Sequence, residues 1–213
     1  MTVIPAINET NFEEAQKKIK AAQDFGADWV HLDVADGKFT QNVLWNNPDD
    51  LKELGIGNKE SGIKIEVHLM VENPDAVLGD WLQAGARRVI VHVETAKNVL
   101  AMKRQCVKAR AELALAANPD TPAERFLEYK SIGTFLILSV IPGLAGQQFR
   151  KDQLKKIIIL RQQLPNAKIE VDGGVALSTA PAIKEAGADI LVSASYIWGS
   201  ENPGGKYKKL KGL

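Results

Sequence analysis

Two hydrophobic periods alternate along this chain. Short apolar runs of strand length are separated by longer stretches whose apolar positions recur every three to four residues, the spacing of one helix face. One junction phrase repeats between them. Phe25-Gly26-Ala27-Asp28-Trp29-Val30 returns as Ala84-Gly85-Ala86-Arg87-Arg88-Val89 and as Ala186-Gly187-Ala188-Asp189-Ile190-Leu191, with a looser copy at Ser131-Ile132-Gly133-Thr134-Phe135-Leu136. A glycine, one or two small or polar residues and then an apolar run describe a helix that ends on a left-handed glycine and turns at once into a buried strand. Strands are therefore expected near residues 2–7, 28–34, 63–70, 87–93, 112–117, 134–140, 167–172 and 189–194. Helices are expected near 11–24, 48–54, 74–84, 95–110, 122–130, 150–163 and 177–186, and the basic tail Lys206 to Leu213 can add a truncated one.

Strands alternating with helices imply parallel pairing through right-handed crossovers. Eight of them predict an α/β fold of the closed (β/α)8 TIM barrel type, with the whole chain, 1–213, as one domain. The competing architecture is an open doubly wound sheet. Eight strands would make that sheet long, and no Gly-x-Gly-x-x-Gly follows the first strand.

Composition narrows the function. Lys plus Arg is 27 against 26 Asp plus Glu, a net charge of +1, which argues against a partner such as nucleic acid. No apolar stretch reaches the length of a membrane span, and the first ten residues lack the basic start of a signal peptide. The single cysteine, Cys106, cannot form an internal disulfide, so a reducing, cytoplasmic setting is expected.

In such barrels chemistry sits where the strands end. All three histidines fall there, in His31-Leu32-Asp33, His68-Leu69-Met70 and His92-Val93-Glu94. His31 and Asp33 are two apart on a strand and share a face. With His68 on the next strand and Asp172 across the ring, they can hold a divalent ion. Two imidazoles and two carboxylates suit zinc, iron(II), manganese or cobalt. The same residues also read as separate hydrogen-bonding groups at a wet barrel mouth. A second constellation follows the last three strands: Gly143 and Gly146, then Gly173 and Gly174, then Ala194 and Ser195. Barrels commonly hold phosphate there on backbone N–H groups.

The ordered motifs His31-Leu-Asp-Val-Ala-Asp-Gly, Glu66-Val-His-Leu-Met, Val91-His-Val-Glu, Asn118-Pro-Asp-Thr-Pro, Ser139-Val-Ile-Pro-Gly-Leu-Ala-Gly-Gln-Gln-Phe and Glu170-Val-Asp-Gly-Gly resemble the ribulose-phosphate 3-epimerase family, from about Ile4 to Trp198. The resemblance implies a metal-dependent isomerase that interconverts ribulose 5-phosphate and xylulose 5-phosphate. It matches His31, Asp33, His68 and Asp172 to the metal ligands, and Asp33 and Asp172 also to the acid/base pair. It matches Met70 to a methionine under the substrate, and Gly143, Gly146, Gly173, Gly174 and Ser195 to the phosphate region. The ligand is then a small ketose phosphate, and a homo-oligomer is expected, with Trp81 and Trp198 either in the core or at a subunit contact.

The sequence departs from the family at Ala6, Ala35, Ile141 and Ala194. Ala6 stands where a substrate-touching serine is usual; Asn8, on the same face, is expected to supply the polar group instead. These changes touch the pocket walls rather than the proposed ligands. A hexulose phosphate substrate and a non-catalytic sugar-phosphate-binding barrel are the alternatives. A lyase of the Asp-x-Lys-x-x-Asp type is disfavoured, because Asp33-Val-Ala-Asp36 has no lysine between its acids.

Overall fold

The computed structural model describes residues 1–53, 62–143 and 146–213. Its eight strands are β1 Thr2–Ile7, β2 Trp29–Ala35, β3 Lys64–Met70, β4 Arg88–His92, β5 Glu112–Ala117, β6 Thr134–Leu138, β7 Lys168–Asp172 and β8 Ile190–Ser193. Each pairs in parallel with the next, and β8 pairs with β1, closing the (β/α)8 TIM barrel. The helices are α1 Phe12–Asp24, α2 Pro48–Glu53, α3 Pro74–Gln83, α4 Val99–Lys108, α5 Glu124–Leu127, α6 Gln153–Gln163, α7 Ala180–Ala186, α8 Ser195–Trp198 and α9 Pro203–Lys211. None of them is long and apolar enough to cross a membrane.

The strands bury both faces. Outward residues such as Val30, Leu32 and Val34 of β2, or Ile65, Val67 and Leu69 of β3, join the helices in the main core. Trp81 is fully buried there, which places it in the core rather than at a subunit contact. Trp198 donates its indole N–H to the Ala6 carbonyl at 2.6 Å and packs on Phe25. Cys106 is fully buried, and burial pushes its thiol up to about 12.

The repeated junction works as expected at three of its four copies. Gly26, Gly85 and Gly187 all have positive φ; at Gly187, φ is 111°, and its N–H closes α7 on Ile183 and Lys184. The looser copy behaves differently. Gly133 lacks a positive φ, because α5 is a single turn and the chain leaves it through three-residue turns, Tyr129 N–H to Phe126 O and Ile132 N–H to Tyr129 O. Helix starts are the main differences from expectation. α4 begins at Val99, not 95, because Asp75 takes the N–H groups of Lys97 and Asn98, and Asn98 caps the helix. The expected end of the second helix at 54 lies outside the described residues.

Candidate active site

The inner face of the barrel carries charge at alternate strand positions. β2 contributes His31 and Asp33, β3 Glu66 and His68, β4 Arg88 and His92, and β7 Glu170 and Asp172. Parallel register sets Asp33 beside His68 and His31 beside Glu66. These groups form two tiers.

The upper tier gathers His31, Asp33, His68 and Asp172, each offering one ligand atom within 4.8 Å of the others. Asp33 Oδ1 lies 3.0 Å from His68 Nδ1 and 3.3 Å from His31 Nε2. Asp33 Oδ2 points elsewhere and accepts a hydrogen bond from Asn8 Nδ2 at 3.2 Å. The two oxygens of one carboxyl group are thus committed to different surroundings. Burial alone would raise Asp33, but hydrogen bonds and charge from His31 and His68 outweigh it and hold the carboxyl well below its usual range. Asp172 moves the other way. Its deep setting and the nearby Asp33 charge push it up to about 7. Burial, helped by the neighbouring histidines, brings His68 down to about 4 despite its bond to Asp33.

The lower tier was not legible as a site. His31 Nδ1 meets Glu66 Oε1 at 2.8 Å. The Arg88 guanidinium reaches Glu66 and Glu170 through Nη1 and Glu112 through Nε, and it lies 4.8 Å above the Trp29 ring centroid. Glu66, Glu170 and His31 have no exposed surface. Burial and the Glu66 charge push Glu170 up to about 7. Polar residues spaced by two within otherwise apolar strands were the available signal.

Above the upper tier opens a cavity. Asn8, Asp33, Met70 and Asp172 line its floor and sides. The loops after β6, β7 and β8 bring in Gly143 and Gly146, Gly173 and Gly174, and Ala194 and Ser195. Leu144 and Ala145 of the first loop lie outside the described residues. His31 and His68 sit below, fully buried. Gly174 has φ +63°, and a Cβ there would stand 2.4 Å from the Phe149 backbone nitrogen, so only glycine lets the two loops approach. Ser139, read only as a strand-end residue, donates its hydroxyl to the Asp172 carbonyl at 2.7 Å and ties β6 to the end of β7.

The model of the Ribulose-phosphate 3 epimerase family matches residues 2–198. The chain belongs to the ribulose-phosphate 3-epimerase family. It is accordingly an isomerase of the carbohydrate-epimerase kind. Its relatives within the family include a protein named ribulose-phosphate 3-epimerase from Mycobacterium bovis, 32% identical over 94% of this chain and 87% of that protein. The chloroplastic ribulose-5-phosphate-3-epimerase of Arabidopsis thaliana is 34% identical over 98% of this chain and 75% of that protein. Among solved structures, 3-hexulose-6-phosphate synthase from Salmonella typhimurium superposes with a TM-score of 0.76 at 18% identity, covering all of this chain and 97% of that one. KGPDC from Streptococcus mutans in complex with D-R5P gives 0.72 at 15% identity, covering 99% and 95%. At such identities the likeness is one of fold.

Proposed function

We propose that this family member epimerises carbon 3 of a ketose phosphate, ribulose 5-phosphate to xylulose 5-phosphate, with Asp33 and Asp172 as the two proton carriers. The observation that carries the reading is the convergence of both acids, from β2 and β7, on one cavity, with two imidazoles from β2 and β3 clustered with them beneath it. Epimerisation removes the proton beside a ketone and returns one to the opposite face. Two carboxylates on different strands, facing one cavity, can do so in either direction. Asp33 Oδ2, the oxygen turned from the histidines toward Asn8, is the atom that exchanges the proton on one face; Asp172 serves the other. The glycine-rich loops and Ser195 hold the phosphate, far from the reacting carbon, and keep the sugar in register. Met70 packs beside the sugar.

The donor set fits a divalent cation such as zinc, iron(II), manganese or cobalt: two imidazoles and two carboxylates, clustered in a largely buried site. His31, Asp33, His68 and Asp172 would hold it, and it would supply positive charge to the oxygens of the enediolate. The test is proton NMR of ketose phosphates in D₂O, pentulose and hexulose, before and after treatment with a chelator. Deuterium is expected at carbon 3 of the pentulose. Chelation is expected to cut exchange by about 10²–10³-fold, the equivalent of several kcal/mol of lost charge stabilisation, with recovery on adding the ion back. Exchange at no ketose phosphate would overturn the reading, and preference for a hexulose phosphate would reassign its substrate.

Asn8 is held to the second oxygen of Asp33 in place of the hydroxyl that Ala6 lacks. Asn8→Leu is expected to lower kcat/KM by about 10–100-fold, the weight of a hydrogen bond to a charged group. Steady-state kinetics at unchanged melting temperature checks this; unchanged kinetics would remove Asn8 from the site.

A further inference from the structure

A line of hydrogen-bonding groups runs from the cluster to the ends of β4 and β5. His68 Nδ1 faces Asp33 Oδ1 at 3.0 Å, and its Nε2 lies 2.9 Å from His92 Nε2. The two rings are within 15° of parallel. His92 Nδ1 faces Glu94 Oε2 at 3.3 Å. The other oxygen of Glu94 accepts from the Asn118 N–H at 2.8 Å and from the Thr121 hydroxyl. Phe39 packs on the face of His92, its ring centroid 4.5 Å away.

An ion bound to His68 Nδ1 leaves that ring a single N–H, on Nε2, directed at His92 Nε2. Glu94 is a carboxylate anchored by two donors from the β5 loop, so it takes a proton from His92 Nδ1. His92 Nε2 then has only a lone pair and must receive the N–H of His68 Nε2. His68 Nδ1, relieved of its proton, and Asp33 Oδ1, 3.0 Å away, then serve as two donors to one cation.

We propose that Glu94 and His92 are positioning residues: they select the tautomer of His68 that presents Nδ1 to the cluster as a metal donor. The inference rests on the metal reading above and extends it to two residues outside the donor set. It also orients the strand ends. Glu94 is held by the loop after β5, so a contact between β4 and β5 decides the chemistry of a ligand on β3. Imidazole ligands whose second nitrogen is held by a hydrogen-bond partner lose about 10–100-fold in metal affinity when that partner is removed.

Glu94→Gln makes the sharpest test. The amide oxygen stays with Asn118 N–H and Thr121, which turns the amide NH₂ toward His92 Nδ1. His92 then donates from Nε2, and the proton of His68 moves to Nδ1, blocking the donor. Zinc and cobalt affinity is measured by competition with a chromogenic chelator, and the His68 tautomer is read from ¹H–¹⁵N long-range NMR of the zinc-loaded protein. The expected result is one ion per chain, an affinity about 10–100-fold lower in Glu94→Gln, and, in the wild type, zinc on His68 Nδ1 with the proton on Nε2. His92→Leu is expected to lose a similar factor, while His92→Gln, whose amide oxygen can still accept from His68 Nε2, retains most of the affinity. Thermal melts establish that each variant is folded; should Glu94→Gln fail that check, the two His92 variants decide alone. Equal affinity in the wild type, Glu94→Gln and His92→Leu would overturn the positioning role and leave the metal reading standing. A wild-type chain that binds neither ion would overturn both.

Discussion

Asp172→Asn is expected to fold normally and to lose about 10²–10⁴-fold in kcat for epimerisation, the usual contribution of a positioned acid/base group. Asparagine keeps the shape and an acceptor oxygen but can neither take nor return a proton. The defect should be one-sided. Asp33 remains, so one epimer still exchanges its carbon 3 proton with D₂O while inversion stops; ¹H NMR of exchange alongside a coupled assay for product separates the two. Loss of exchange on both faces would mean that Asp172 matters only as a ligand, and epimerisation within tenfold of wild type would remove it from the reaction. Stability should move in the opposite direction. The Asp172 carboxyl is pushed up to about 7 by its deep setting and by Asp33, so folding favours its protonated form. That preference stabilises fully below the unfolded value near 4 and is lost as pH rises through about 7. The variant is therefore expected to melt progressively higher relative to wild type between pH 4 and 7, the difference levelling off above.

Arg88→Met is expected to be among the most destabilising single changes in the barrel. Its guanidinium pairs with Glu66, Glu170 and Glu112 at once, and the first two are fully buried. Removing one partner from a buried ionic cluster typically costs about 3–5 kcal/mol, because uncompensated charge stays behind. For a chain of this size that is roughly 10 °C in melting temperature. Arg88→Lys should recover part of the loss, since an ammonium keeps the charge but lacks the fork that reaches three acids. Urea and thermal melts decide, and a melting temperature for Arg88→Met within 2 °C or so of wild type would show that Glu66 and Glu170 need no such partner. Activity should fall as well, because Glu66 also holds Nδ1 of His31.

Much of this was legible in the residues. The recurring glycine junction located strands to within a residue or two, since a left-handed turn into a buried strand leaves a short, local signature. Short helices were less legible. α8, Ser195–Trp198, follows β8 directly and reads as neither period, being a single turn of small and aromatic residues. All four proposed ligands were named together in advance, but only His31 and Asp33, two apart on one strand, form a local pattern; the addition of His68 and Asp172 rested on the expected closure of the barrel and on the family resemblance. The lower tier escaped for a different reason. A parallel strand covered on both sides is expected to be apolar throughout, so Glu66, Arg88 and Glu170 stood out as exceptions with no indication that they neutralise one another. His92 and Glu94 were visible only as polar groups at the end of a strand. Their order became plain only with distances, because tautomers follow from contacts.

The charged tier beneath the cavity also bears on how the molecule assembles. Its members come from β3, β4, β5 and β7, so the cluster is complete only when both halves of the barrel are present. A partly closed intermediate made of the first five strands would expose the arginine to water and lack Glu170; one made of the last strands would hold Glu170 with no cation. The shared cluster is therefore expected to couple both halves of the chain in one folding transition, read as coincident unfolding by near- and far-ultraviolet circular dichroism.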